Sequence, residues 1–298
     1  MIDKLELLLA LAQEKHFGHA AEKCGVTQQT LSAAVKQLET RLGVMLVLRG
    51  SRFQGFTPEG ERVLGWARRI VADQRAMLQD VSVMRGSLEG HLRLGAVPTA
   101  LPMVARLTTP YREKHPGVRF SVHSATSDEL LEMLERAELD AGLTYLDNEG
   151  LGRVTAVPLY KERFCLLTAA DGALGERGSV TWAEVAALKL CLLTPDMQNR
   201  RIIDKHLRAA GGEAAPLLES NSMVLLLTHV RTAKWASVMP AVLADALGVS
   251  DLVRAIPIVE PDVAYTMGLV VPHTDPATPM VQALMAEARV LGAHEGVG

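Results

Sequence analysis

Along the first 43 positions, apolar residues recur with the spacing of helices. Ile2, Leu5, Leu8, Leu9 and Ala12 predict an amphipathic helix over 2–14, and a shorter helix is predicted over about 18–23. Gly25 follows it, where a glycine closes a helix because positive φ costs it nothing. Thr27 is a helix-capping side chain. Behind it Leu31, Val35, Leu38 and Leu42 form one apolar row, which Gly43 stops. The opposite face carries Gln28, Gln29, Ser32, Ala33 and Lys36. A helix that only packs does not normally open with two glutamines and a threonine, so this face is expected to meet something outside the chain.

The segment 44–57, VMLVLRGSRFQGFT, reads as a small hairpin with Arg49 and Arg52 near its tip. Thr57-Pro58-Glu59 then opens a long helix: a cap, a proline at the first helical position and an acid in the first turn. It is expected to run to Gly86, roughly 40 Å at 1.5 Å per residue. Along it Val63, Ala67, Ile70, Gln74, Met77, Val81 and Met84 alternate four- and three-residue steps. That heptad seam, polar only at Gln74, predicts a dimerisation helix. Gly86 to Gly90 is the expected hinge.

From residue 91 strand and helix patterns alternate. HLRLGAV, VRFSVHS, AGLTYL, RFCLLTA, KLCLLT, WASVMP and TMGLVVP read as strands, and helices fall between them, with a last one over 277–291. Such alternation predicts parallel sheets with helices on both faces. Some 200 residues of this kind suit two small subdomains with a cleft between them.

The chain has 298 residues, 48% hydrophobic and 22% charged, which fits two or three globular units. Its apolar runs fall well short of a membrane span. The start, Met1-Ile2-Asp3-Lys4, lacks the basic-then-apolar pattern of an export signal, so a cytoplasmic location is expected. Cys24, Cys165 and Cys191 show no CxxC spacing, which suits a reducing compartment. The net charge of −3 makes no overall case for nucleic acid. Residues 1–90, however, hold 12 Lys and Arg against 10 Asp and Glu, a mildly basic head on an acidic body.

HFGHAAEKCGVTQQTLSAAVKQLETRLGVMLVLR, with its alanine pair, glycine, polar helix opening, Leu-Ser, Leu-Glu and Leu-Gly, resembles the head of the LysR-type transcriptional regulators. TPEGERVL is similar to the start of that family's linker helix, and AELDAGL, ESNSMVLLLTHV and VMP resemble phrases of its effector domain. The resemblance implies a winged helix-turn-helix over 1–57 and a linker helix with its hinge over 58–89. It implies an α/β effector domain over 90–298, made of two Rossmann-like subdomains of the type 2 periplasmic-binding-protein kind. Subdomain I would take about 90–162 and 266–298, and subdomain II about 163–265. The implied partners are promoter DNA, a small-molecule effector, further copies of the chain as a dimer of dimers, and RNA polymerase, with no membrane and no cofactor. Gln29, where the family often has an apolar residue or proline, and Ala33, where it commonly has arginine, depart from the pattern and leave the operator bases open. TAKWASVMP, where the family often has a glycine-rich turn, leaves the pocket open.

Glutamine amides at a helix N-terminus can donate and accept at base edges in the major groove. The DNA-facing set is therefore Thr27, Gln28, Gln29, Thr30, Ser32, Ala33 and Lys36, with Arg49 and Arg52 on the wing for phosphate or minor groove. For the cleft, hydroxyls and amides at helix starts suggest Pro98, Thr99 and Ala100, then Thr126 and Ser127, then Thr194, Gln198 and Asn199. Helix starts favour a small organic acid or other anion, with Arg200 and Arg201 as possible counter-charges. Cys165 and Cys191 sit in apolar strand patterns, where an inert thiol is the usual case, and Cys24 lies in an apolar row and is expected in the core. GALGERG is not a GxGxxG turn, and GxxxxGK[ST], HExxH and GxSxG do not occur, so no catalysis and no metal site are expected. A solute-binding or transport-related protein with no DNA role shares the cleft but not the 90-residue head.

Overall fold

The computed structural model describes residues 1–48, 50, 53–84, 87–147, 150–212, 215–248, 252–273 and 277–296. Arg49, Arg52 and Gly86, singled out above, lie outside the described residues. The chain divides into two compact units, Met1–Gly86 and Ser87–Gly298.

The first unit holds α1 (Ile2–Glu14), α2 (Phe17–Lys23), α3 (Gln28–Leu42) and α4 (Pro58–Met84). Leu5, Leu8, Leu11, Ala20, Ala21, Leu31, Val35 and Leu38 meet in one buried cluster. Thr27 caps α3, its Oγ1 accepting from the Thr30 N–H at 3.1 Å, and Gly43 ends it in the left-handed region at φ 71°. Leu42, predicted in the apolar row, is 45% exposed; Ala34 is buried instead. Cys24 is only half-buried at the edge of this core. After α3 the chain makes a short hairpin, with Val47 paired to Phe56 and the Leu48 N–H donating to Gly55 at 3.0 Å. Glu39 Oε1 steadies it by accepting from the N–H groups of Leu46 and Val47. Gly60 lies so close to Leu46 that a Cβ would collide with the Leu46 carbonyl, which gives a physical reason for the glycine in TPEG.

Helix α4 corrects one part of the seam. Leu64, Ala67 and Val71 are buried in the same core as α1, and Val63 and Ile70 pack against it half-buried. Ala67 is wholly covered by its own chain and is not available to a partner helix. The apolar surface left open lies further along: Met77 is 57% exposed, Val81 40% and Met84 87%. The seam looked continuous because its spacing does not show which part is covered within the unit.

In the second unit, β1 (Gly90–Ala96) pairs in parallel with β2 (Val118–Ser124) and β3 (Ala141–Tyr145). Strand β4 (Val154–Ala169) is the longest, and β10 (Ala264–Pro272) lies antiparallel between β3 and the first part of β4. The second part of β4 pairs with β8 (Ser237–Pro240) and β9 (Val253–Val259), and β9 pairs with the short β5 (Val180–Thr181). Strands β6 (Cys191–Leu193) and β7 (Leu218–Ser220) form a small parallel pair. The sheet is therefore mixed rather than all parallel. Strands β4 and β9–β10 both run through from one lobe to the other, and β10 re-enters the first lobe without a helical crossover. A strand that returns that way arrives antiparallel.

Helices α5 (Leu101–Lys114), α6 (Ser127–Glu135) and α11 (Pro279–His294) belong to the first lobe. The second carries α7 (Trp182–Ala186), α8 (Gln198–Ala209), α9 (Met223–Val230) and α10 (Ala241–Ala246). Leu94, Met103, Leu107, Tyr111, Leu143, Leu269 and Leu284 are among the wholly buried side chains around the first lobe's sheet. Cys165, Cys191, Leu193, Leu226, Val230 and Met239 do the same in the second.

Candidate functional sites

On α3, burial and exposure separate cleanly. Leu31, Ala34, Val35 and Leu38 are buried, whereas Gln28, Gln29, Thr30, Ser32, Ala33 and Lys36 are exposed. A helix with one side sealed against α1 and α2 and a row of amides, hydroxyls and a lysine outside can enter a groove of matching polarity. Thr27 and Thr30 hold each other, with their Oγ1 atoms 2.9 Å apart, so the opening of the helix is set before any partner arrives. A groove of about 810 Å³ runs beside this face, lined in part by Ser32, Lys36, Thr40, Val44, Leu48 and Gly50. It places the hairpin next to the exposed face of α3.

The second unit carries a cleft of about 850 Å³. Pro98, Leu101, Pro102, Ser124, Ala125 and Thr126 line it from the first lobe, and Asp196, Met197, Asn221, Ser222, Met223, Val224, Leu243 and Leu247 from the second. These segments follow the ends of β1, β2 and β6 and start α5, α6, α8 and α9, the expected place for a ligand in open α/β sheets. Two carboxylates, Glu129 and Asp196, lie among the described lining residues, and no Lys or Arg does.

The expected cleft residues have separate fates. Pro98 and Thr126 line the cleft. Thr126 is also a full cap: its Oγ1 accepts from the Glu129 N–H at 3.2 Å, and Glu129 Oε2 accepts from the Thr126 N–H at 2.9 Å. Ala100 is buried where α5 begins. Ser127 is buried and turned inward, accepting from Thr144 Oγ1 at 3.0 Å. Gln198 Oε1 accepts from both Nε and Nη2 of Arg201. Thr99, Thr194 and Asn199 are the unusual ones, because Thr99 Oγ1, Thr194 Oγ1 and Asn199 Oδ1 are buried without a hydrogen-bond partner.

Neither arginine is an uncommitted counter-charge. Arg200 is buried, bonded to Asp204 at 2.6 Å, the Leu193 carbonyl at 2.6 Å and Glu219 at 2.7 Å, and it braces the second lobe. Arg201 is held by Gln198 and the Asp196 carbonyl and reaches Asp128 of α6 at 3.5 Å, from one lobe to the other.

Outside the lining residues, where β3, β4 and α8 meet, lies a polar cluster that the pattern of hydrophobic residues concealed. Glu162 is fully buried on β4, close to where that strand leaves β10 for β8 and β9. Tyr145 at the end of β3 donates to its Oε1, and Tyr160 donates to Oε2 at 3.3 Å. Asn199 Nδ2, from the second lobe, donates to the Tyr145 oxygen at 3.2 Å. Burial pushes the Glu162 carboxyl up from 4.5 to about 7, opposed by the hydrogen bonds from Tyr145, Tyr160 and Asn199. In the sequence, Glu162 reads only as one charge in YKER. A polar residue at an inward position of a strand pattern was the one available signal.

The thiols are quiet. Burial pushes Cys165 up to about 12 and Cys191 up to about 11, and Sγ of each donates to a main-chain carbonyl. Cys24 is also raised by burial. Among the described residues no three His, Cys, Asp or Glu side chains gather as metal ligands. No helix of the described residues is long and apolar enough to cross a membrane.

Two family patterns match this chain. The one described as "Bacterial regulatory helix-turn-helix protein, lysR family" matches residues 2–61, and "LysR substrate binding domain" matches 85–291. The chain belongs to the LysR family of transcription regulators. This LysR-type regulator is 29% identical over 270 residues to the "Hydrogen peroxide-inducible genes activator" of Escherichia coli O6:H1, covering 90% of this chain and 88% of the relative. Among solved structures it is similar to a full-length OxyR cysteine-to-aspartate variant from Pseudomonas aeruginosa. There the identity is 26% and the TM-score 0.74, covering 97% and 95% of the two chains. The fold also matches full-length CbnR in complex with its target DNA, at 19% identity and a TM-score of 0.69, over 98% and 99%. The LysR-type architecture seen here, a helix-turn-helix unit, a long helix and an effector-binding α/β unit, is that of a ligand-responsive, DNA-binding transcription regulator.

Proposed function

We propose that this regulator reads promoter DNA through Gln28, Gln29, Thr30, Ser32 and Ala33 at the start of α3, with Lys36 on a phosphate and Arg49 and Arg52 on the wing. The observation that carries this is the division of α3 into a sealed apolar side and an exposed row of amides, hydroxyls and a lysine. Two half-sites are held together by pairing of α4 through Met77, Val81 and Met84, and the working species is a dimer of dimers that meets RNA polymerase at the promoter. A small organic molecule in the cleft of the second unit controls it. Val63, Ile70 and Gln74 flank the open part of the seam.

Relatives named for hydrogen peroxide raise a second possibility, oxidation of a thiol. A peroxide-reactive cysteine needs an accessible thiolate at neutral pH. Cys165 and Cys191 are buried and raised to about 12 and 11, which supports a bound effector over a thiol switch. A gel-shift with the full chain and the DNA upstream of its own gene tests the reading. Expected is a salt-sensitive complex that outlasts competition by unrelated DNA and is unchanged by peroxide. Equal loss to specific and unrelated competitors would refute it.

A further inference from the structure

Taken alone, the helix starts suggest an anionic effector, but the rest of the cleft counts against one. A helix N-terminus offers about half a positive charge. The start of α6 already holds a full negative charge in Glu129, bonded to the Thr126 N–H. The start of α9 is capped by Ser222, whose Oγ accepts from the Leu225 N–H at 3.3 Å. Asp196 stands just before α8 and lines the cleft. Arg201, the nearby cation, is taken by Gln198, the Asp196 carbonyl and Asp128. A carboxylate entering this space would meet two like charges and no unpaired Lys or Arg among the described lining residues.

The buried polar atoms at Thr99, Thr194 and Asn199 add an independent constraint. Where Glu162 is ionised, Tyr145 donates its one proton to it, so the Tyr145 oxygen can only accept from Asn199 Nδ2. That bond fixes the amide with its nitrogen toward the cluster and leaves Asn199 Oδ1 as an acceptor with nothing to accept. Thr194 Oγ1 and Thr99 Oγ1 are likewise unpaired, Thr99 lying beside the Tyr145 phenol but out of hydrogen-bonding geometry. These residues adjoin Pro98, Asp196 and Met197 of the lining in the chain. Buried polar atoms without partners are rare in folded proteins, and each calls for a reason.

We propose that the effector is an uncharged molecule with an apolar body and at least one hydrogen-bond donor, such as an amide or alcohol, whose donor is shared between Asn199 Oδ1 and Thr194 Oγ1. Asn199 is then the residue that selects an amide or alcohol over the corresponding acid. Met197, Met223, Leu101, Leu243 and Leu247 receive the body, and methionines adapt to an aromatic one. The proposal rests on the cleft being the effector site and goes further by naming the effector's chemistry.

The test uses the full chain and matched probe sets: phenylacetate, phenylacetamide and 2-phenylethanol, and the same three end groups on indolyl and branched-alkyl bodies. Thermal shift finds the binders and calorimetry measures them. Amides or alcohols are expected to bind at least about 10-fold tighter than their acids. Asn199→Leu should weaken the preferred probe roughly 3- to 10-fold, the range of one neutral hydrogen bond. Because Asn199→Leu also removes the bond to Tyr145, Thr194→Val is the second variant. Its hydroxyl has no partner to lose, so the unliganded protein should melt no lower than wild type while probe affinity falls. Acids binding as tightly as their amides, or unchanged affinity in both variants, overturns the donor proposal and leaves the cleft as the effector site. Binding by none of the probes overturns the proposal and counts against the cleft reading as well.

Discussion

Replacing Glu162 by glutamine should remove a pH dependence from the stability of this protein. Glu162 is fully buried, and burial raises its carboxyl from the ordinary 4.5 to about 7. Between those values the folded chain holds a proton that the unfolded chain has released. Stability contributed by this group is therefore complete below about pH 4.5 and is lost as pH rises toward 7, beyond which the loss is constant. At roughly 1.4 kcal/mol per pH unit, the whole effect is about 3 kcal/mol. Glutamine fills nearly the same volume, keeps an acceptor for Tyr145 and carries no charge to desolvate. The assay is thermal unfolding of wild type and Glu162→Gln at pH 5 and pH 8. His206, whose pKa burial lowers, titrates alike in both proteins, so the difference between them isolates Glu162. Relative to wild type, the variant should gain roughly 6–12 °C between the two pH values, taking 2–4 °C per kcal/mol for a unit of this size. Parallel pH profiles would refute the reasoning, because they would mean that Glu162 is ionised at no cost or is solvated.

On the DNA side, Gln29→Ala should change the bases recovered in a binding-site selection, whereas Lys36→Ala should weaken all sequences alike and lower the salt slope by about one. An unchanged consensus for Gln29→Ala would remove its base-reading role. Met77→Glu should put an unpaired charge into the open part of the α4 seam and shift sedimentation toward monomer, while an intact dimer would place the interface elsewhere. Gly60→Ala should destabilise the first unit by about 1–3 kcal/mol, since its Cβ meets the Leu46 carbonyl, and a neutral urea midpoint would contradict that contact. Thiol titration at pH 7.4 should find Cys165 and Cys191 unreactive until the chain unfolds, and rapid labelling of either one in the folded protein would reopen the thiol-switch reading.

Much of the architecture could be read from the sequence by itself, because it depends on local spacing. The cap at Thr27, the stop at Gly43, the apolar row of α3 and the opening of α4 at Pro58 each involve residues within a few positions of one another. The polar face of α3 could be read for the same reason: on one helix, what is not on the buried side is outside. Prolines hid other elements. Pro158 lies within β4 and Pro257 within β9, and a proline inside an apolar run argues against a strand until its neighbours are known. What only the tertiary structure decided was the partnering of residues far apart in the chain. The heptad seam of α4 did not reveal that α1 already covers Ala67, because periodicity records a buried side and not what buries it. Nor could a hydroxyl at a helix start show that Ser127 turns inward to Thr144 while Thr194 is left without a partner. Glu162 is the clearest case. Its meaning depends on Tyr145, 17 residues before it, and on Asn199 in the other lobe, and only the passage of β4 between the lobes brings the three together.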